Sequence, residues 1–172
     1  MKQRSSILIL LSVILVTVVF TACKMSYSFT GASIAPNVKT FMVGFFPNRA
    51  RLVNPNLSQL FVDGLQDVLI KQTSLNQITD KADLEFSGQI TDYDVKPMNI
   101  QTGDLAAQNR LTIGVKVKFT NNKDHEQDWE KTFSQYEDFD SNLSLSAAEN
   151  DLVPLIIKKL TDDIFNASIA NW

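Results

Sequence analysis

Residues able to do covalent chemistry are scarce in this chain. His125 is the only histidine, and it lies in the Asn-Lys-Asp-His-Glu turn of residues 122 to 126. A nucleophilic triad needs a base beside a serine or cysteine. A solvated loop histidine is the plainer reading of His125. The sequence has no glycine-rich phosphate loop, no HExxH and no CxxC. The adjacent carboxylates Asp162-Asp163 and Glu137-Asp138 fall on exposed positions and read as solvated charge. No cluster calls for a metal or another cofactor, and an enzyme of unrecognised type is the weakest of three functional readings.

The residues that could recognise something are cationic. Lys116 and Lys118 are two apart on a strand pattern, which puts both on one side of a sheet, and Arg110 precedes them at the end of the connection 97–110, PMNIQTGDLAAQNR. Such a trio could meet phosphates or carboxylates. The alternative is a sheet face or edge kept soluble by lysine. A long connection between two good strands is often functional.

Elements that would carry these residues follow from hydrophobic period. Leu111, Ile113, Val115, Val117 and Phe119 alternate with polar residues or glycine in the strongest strand signal of the chain. Leu84, Phe86, Gly88 and Ile90 alternate likewise, and the apolar phase then slips by one to Tyr93 and Val95, predicting a bulge near Thr91-Asp92. Further strands are expected over 26–30 (stopped by Gly31), 38–46 and 129–136. Leu57, Leu60, Phe61, Leu65, Val68 and Leu69 recur at helical spacing behind Asn54-Pro55, where Asn54 is expected to cap and Pro55 to take the first helical position. Gly64 lies on the apolar face, where it would permit close approach to a sheet. A second helix runs almost to the C-terminus. Ser146 and Glu149 suggest a capping box at its start, and Pro154 should kink it or delay its regular beginning. The strand-helix-strand order implies a parallel crossover, with the later strands added as antiparallel hairpins. The expected architecture is an α+β two-layer sandwich, two helices packed on one face of a mixed four-stranded sheet, with a polar opposite face including Ser87, Gln89, Lys116 and Lys118.

The first 22 residues are of a different kind: Lys2 and Arg4, an uncharged run from Ile7 to Phe20, then the small residues Thr21 and Ala22. That is the layout of a secretory signal peptide. As a helix its fourteen-residue run would span about 21 Å, short of the roughly 30 Å a bilayer core needs. Phe20-Thr21-Ala22-Cys23 resembles the bacterial lipobox, with Phe where Leu is usual. The resemblance implies cleavage before Cys23, a thioether-linked diacylglyceryl group on its sulfur and acylation of its new amino group. Several acyl chains hold a protein on a bilayer where a single chain would be marginal. Cleavage leaves one domain, residues 23–172, and takes Lys2 and Arg4 with it, moving the net charge from −3 to −5. This balance gives no support to nucleic-acid binding. With its only cysteine acylated, the mature chain has no disulfide and must stand on packing alone.

A lipobox, the aromatic segment Tyr27-Ser28-Phe29-Thr30-Gly31, and then strand, helix, three strands and a long C-terminal helix resemble the LptE family of lipopolysaccharide-assembly outer-membrane lipoproteins. The segments KTFMVGFFPNRARLVNPNLSQLF, LTIGVKVKFTN and DIFNASIANW are similar to members of its LptE-like branch. The resemblance implies a lipoprotein in the inner leaflet of the outer membrane that plugs the LptD β-barrel, helps it assemble and assists the passage of lipopolysaccharide to the surface. It also implies lipopolysaccharide contacts through basic residues, for which Arg110, Lys116 and Lys118 are the positions to test. The lack of acidic residues directly after Cys23 fits a periplasm-facing lipoprotein. A periplasm-facing carrier or sensor of an amphiphile stands beside this reading, and it would need a roomy apolar cavity.

Overall fold

The alternating strand around Val115 sits at the centre of the architecture. In a computed structural model, which describes residues 34–52, 54–98 and 107–170, this strand is β4, Gln108–Asn121, flanked by the longest partners of the sheet. β1 (Thr40–Val43) and a two-residue β2 (Asn76–Gln77) form one edge, β3 (Leu84–Met98) and β4 form the middle, and β5 (Trp129–Asp140) forms the other edge. The order is β2-β1-β3-β4-β5, with β2, β1 and β3 mutually parallel and β3, β4 and β5 antiparallel. The fold is α+β, with a mixed sheet of five strands where four were expected. β2 supplies the difference, and both of its residues are exposed. The expected strand over 26–30 lies outside the described residues.

Helix α1 spans Leu57–Gln72 and α2 spans Leu145–Phe165. Leu57, Phe61, Leu65 and Leu69 repeat every four residues and are fully buried, as are Leu111, Val115 and Val117 of β4. One apolar cluster holds both helices, β3, β4 and Phe139 of β5. Phe46 closes it near β1, its ring 4.9 Å from that of Phe61 in an edge-on arrangement. The strand expected over 38–46 is paired only to Val43. Gly44 still donates to the carbonyl of Phe86, and the chain then runs on beside β3 through an isolated bridge between Asn48 and Ile90.

The bulge is where the slipped phase put it, with the β3–β4 register shifting between Ile90 and Asp92. Tyr93 is thereby turned into the core at 2% exposure. The connection 97–110 is shorter than expected, because Pro97 pairs with Asn109 and Met98 with Gln108. Gly88, φ +157°, is in a backbone region that disfavours side chains, and the Phe46 ring packs over the space its missing Cβ leaves.

Helix starts differ from the local motifs. α1 begins at Leu57, two residues after Pro55, with Asn56 at the N-cap. The Asn54 carboxamide oxygen accepts from Asn56 N–H, and its nitrogen donates to Glu149 of α2. α2 begins at Leu145 behind Ser144, so Ser146 lies inside the first turn and no capping box with Glu149 forms. Glu149 instead joins the two helix starts. Pro154 lies within continuous helix, where it leaves the Asn150 carbonyl without its usual donor. After Phe165 the helix widens to a π turn over Asn166–Ala170, where Ser168 Oγ donates to the carbonyls of Ile164 and Phe165.

Gly64 makes its close approach to the other helix and not to the sheet: a Cβ there would come within 2.8 Å of Ile157 Cγ2. Gly64→Ala should therefore lower stability by about 1 kcal/mol, overpacking outweighing the helix propensity gained. A urea midpoint at or above wild type would refute this tight crossing.

Candidate binding face of the sheet

Even-numbered residues of β4 point away from the helices, so Arg110, Lys116 and Lys118 share the open face, as their spacing predicts. They do not form one site. Six residues of strand put Arg110 about 20 Å from Lys116, whereas Lys116 and Lys118 are neighbours.

Arg110 is engaged within the fold. Its Nε and Nη2 donate to the two oxygens of Asp138 at 2.7 and 2.8 Å, and its guanidinium lies 3.6 Å over the Tyr136 ring. Register explains this, because Asp138 is the cross-strand partner of Arg110. The two-pronged bond holds the Asp138 carboxyl below its ordinary range and raises the Arg110 guanidinium. Lys116 pairs with Glu130. Lys118 is exposed and makes no ion pair among the described residues. Near the bulge, Asp94 takes both Arg51 and Lys96, and the Asp92 carboxylate lies over Gly114. The face is polar and largely neutralised by its own pairs.

Of the other candidates, His125 matches its plain reading, whereas Glu137, Asp138, Asp162 and Asp163, expected on exposed positions as solvated charge, are half-buried and each is held by a partner within the fold. His125 is an exposed turn residue beside Asp128 at 3.0 Å. Glu137 pairs with Lys159, whose ammonium also reaches the Tyr136 carbonyl at the outer edge of β5. Asp162 pairs with Lys158, and Asp163 accepts from Gln135. Among the described residues no group of three or more His, Cys, Asp or Glu could hold a metal, and no helix is long and apolar enough to cross a membrane. Cys23 lies outside the described residues.

The space between sheet and helices is filled. Phe41, Phe46, Phe61, Phe86 and Leu65 are each fully buried in it. A groove of about 430 Å³ lies between the helices, lined by Leu60, Val68, Pro154 and Ile157 with charged rims at Lys71 and Lys158.

The class defined here is an α+β domain with a packed helical layer and a polar, self-neutralised sheet face. Residues 38–168 match the LptE family, described as Lipopolysaccharide-assembly, and the chain belongs to that family. No curated protein matches it. Among solved structures, a minor lipoprotein from Acinetobacter baumannii is similar at 13% identity and TM-score 0.49, over 73% of this chain and 88% of that one. The hypothetical protein CT253 from Chlamydia trachomatis is similar at 13% identity and TM-score 0.48, over 73% and 93%. Lipoprotein GNA1162 from Neisseria meningitidis gives 11% identity and 0.42, over 74% and 99%.

Proposed function

We propose that residues 1–22 are removed as a signal peptide, that Cys23 is acylated, and that the mature chain is an outer-membrane lipoprotein, periplasm-facing, which plugs the LptD barrel and helps it assemble for lipopolysaccharide transport. The observation that carries this reading is membership of the lipopolysaccharide-assembly family over residues 38–168. The polar sheet face supports it, because barrel lumens are polar, and a short tether supports it by concentrating domain and barrel on one membrane. The chain acts by fitting and not by catalysis. On the open face Lys118, with Lys116 beside it, is the place for lipopolysaccharide phosphates, while Arg110 serves chiefly to lock β4 to β5.

Replacing Cys23 with serine should leave the precursor unacylated and reduce both assembled barrel and surface lipopolysaccharide severalfold, as depletion of the protein would. Immunoblotting of folded barrel and staining of surface lipopolysaccharide read the result. Unchanged levels of both after depletion would reject the assembly role.

A further inference from the structure

Phe45 is the most exposed of the large apolar side chains among the described residues, at 73%. Its exposure is fixed by its neighbour. Phe46 is fully buried against Phe61 and over Gly88, and on extended backbone successive side chains point to opposite sides. The chain beyond Phe45 stays on the same rim. Pro47 accepts from Ile90, Arg49 donates to Ile90, and Arg51 reaches Asp94, so residues 44–51 follow the free side of β3 past the end of β1. Arg49 is exposed, Arg51 is exposed at 83% even while bonded to Asp94, and Leu52 is exposed at 36%. On a chain of net charge −3, this rim combines an exposed aromatic ring, an aliphatic residue and two arginines, one of them bonded to Asp94.

We infer that the Phe45–Leu52 rim is a docking surface for an anionic lipid bilayer, with the Phe45 ring set at headgroup depth and Arg49 and Arg51 on lipid phosphates. Aromatic rings favour that depth, and basic residues near an anionic surface are drawn to it. Chain geometry selects a bilayer as the occupant. Ile34, Ala35 and Val38 line a recess with Ser74 and Asn76, so the described chain begins at the β2–β1 edge, on the same side of the sheet as the rim. Only ten residues separate Ile34 from Cys23, a reach of at most about 40 Å. This part of the argument rests on the acyl tether proposed above.

The acylated mature chain carrying Phe45→Cys has one free thiol, to which an environment-sensitive fluorophore is attached. It is reconstituted in phosphatidylethanolamine–phosphatidylglycerol vesicles with brominated acyl chains. Quenching at position 45 should exceed that at Leu143→Cys, an exposed position beyond β5, by at least about threefold, and each of Arg49→Gln and Arg51→Gln should weaken docking about fivefold. Equal quenching at 45 and 143 overturns the inference. Shielding from iodide without quenching by bromine means a second copy covers the rim, and overturns it too. Mass analysis of Cys23 on the same sample tests the tether separately. In the Cys23→Ser, Phe45→Cys chain, quenching on excess vesicles would keep the docking surface even if acyl groups proved absent. Acyl groups present with position 45 unquenched would keep the tether and remove the docking surface.

Discussion

Gly88→Ala should cost about 4 kcal/mol, a large share of the 5–15 kcal/mol that holds a domain of this size together. A Cβ at this position would stand 2.0 Å from the Lys116 carbonyl oxygen and 2.9 Å from the Phe46 ring. The first of these is backbone within the β3–β4 ladder, where Gln89 is opposite Lys116 and Gly88 opposite Val117, so it cannot move without unpairing the centre of the sheet. The φ of +157° adds strain that no repacking relieves. Gly114→Ala is the matched control. Its Cβ would meet chiefly the Asp92 side chain, with Oδ2 at 2.5 Å, and an exposed carboxylate can swing away. Urea titrations of both variants should show the Gly88 loss at least twice the Gly114 loss. Equal losses would mean that the ladder yields at Gly88 and that glycine is not required there.

Asp83 is the second position where one atom's identity decides much. Its Oδ2 accepts from the backbone N–H groups of Lys39 and Thr40 at 2.8 and 3.1 Å, its Oδ1 takes the Lys123 ammonium at 2.8 Å, and its own N–H donates to Thr40 Oγ1. One carboxylate therefore ties the start of β1 to the start of β3 and to the β4–β5 turn. Lys123, followed by the Lys39 N–H, holds the carboxyl at about 2 against an ordinary value of 3.8. Because the folded value is depressed, the stabilisation is fully present above pH 3.8 and is lost as pH falls toward 2, with about 2 kcal/mol at stake. Asp83→Asn should lose about that much at pH 7, since an amide nitrogen would face donors. The gap between wild type and variant should close as pH is lowered from 5 to 2. Parallel stability curves across that range would show that the carboxylate's charge is not what ties β1 in place.

The parts of this fold that were legible in the sequence are those in which one local pattern decides one element. Alternation through Leu111–Phe119 gave β4 its inward face, and the slip after Ile90 located the bulge, because burial on one side of a sheet imposes a period of two. The helices were legible for the same reason at period 3.6. What stayed hidden depends on partners distant in the chain. β2 exists because Asn76 donates to the Lys39 carbonyl and Ile78 to that of Phe41, a backbone event with no side-chain pattern. Asn54 and Glu149 each looked like an end of its own helix, and their bond spans 95 residues. Gly64 was placed on the correct stripe but against the wrong neighbour, since helix periodicity does not distinguish a sheet from a second helix. Among the candidate binding residues, the shared face of Arg110, Lys116 and Lys118 was readable. The engagement of Arg110 was not, because only the β4–β5 register puts Asp138 opposite it.

The outer rim of β5 bears on how such a chain behaves when crowded. Among the described residues β5 is a twelve-residue edge strand, and such an edge offers backbone groups to any neighbour, identical copies included. Lys159, from the last helix, puts its ammonium 3.4 Å from the Tyr136 carbonyl, occupying an outward acceptor past the middle of that edge, while Glu130 and Lys131 place charge near its beginning. A strand arriving from a second molecule would have to displace a cation before it could add. The domain thus carries its own guard against growing into a ribbon of copies of itself.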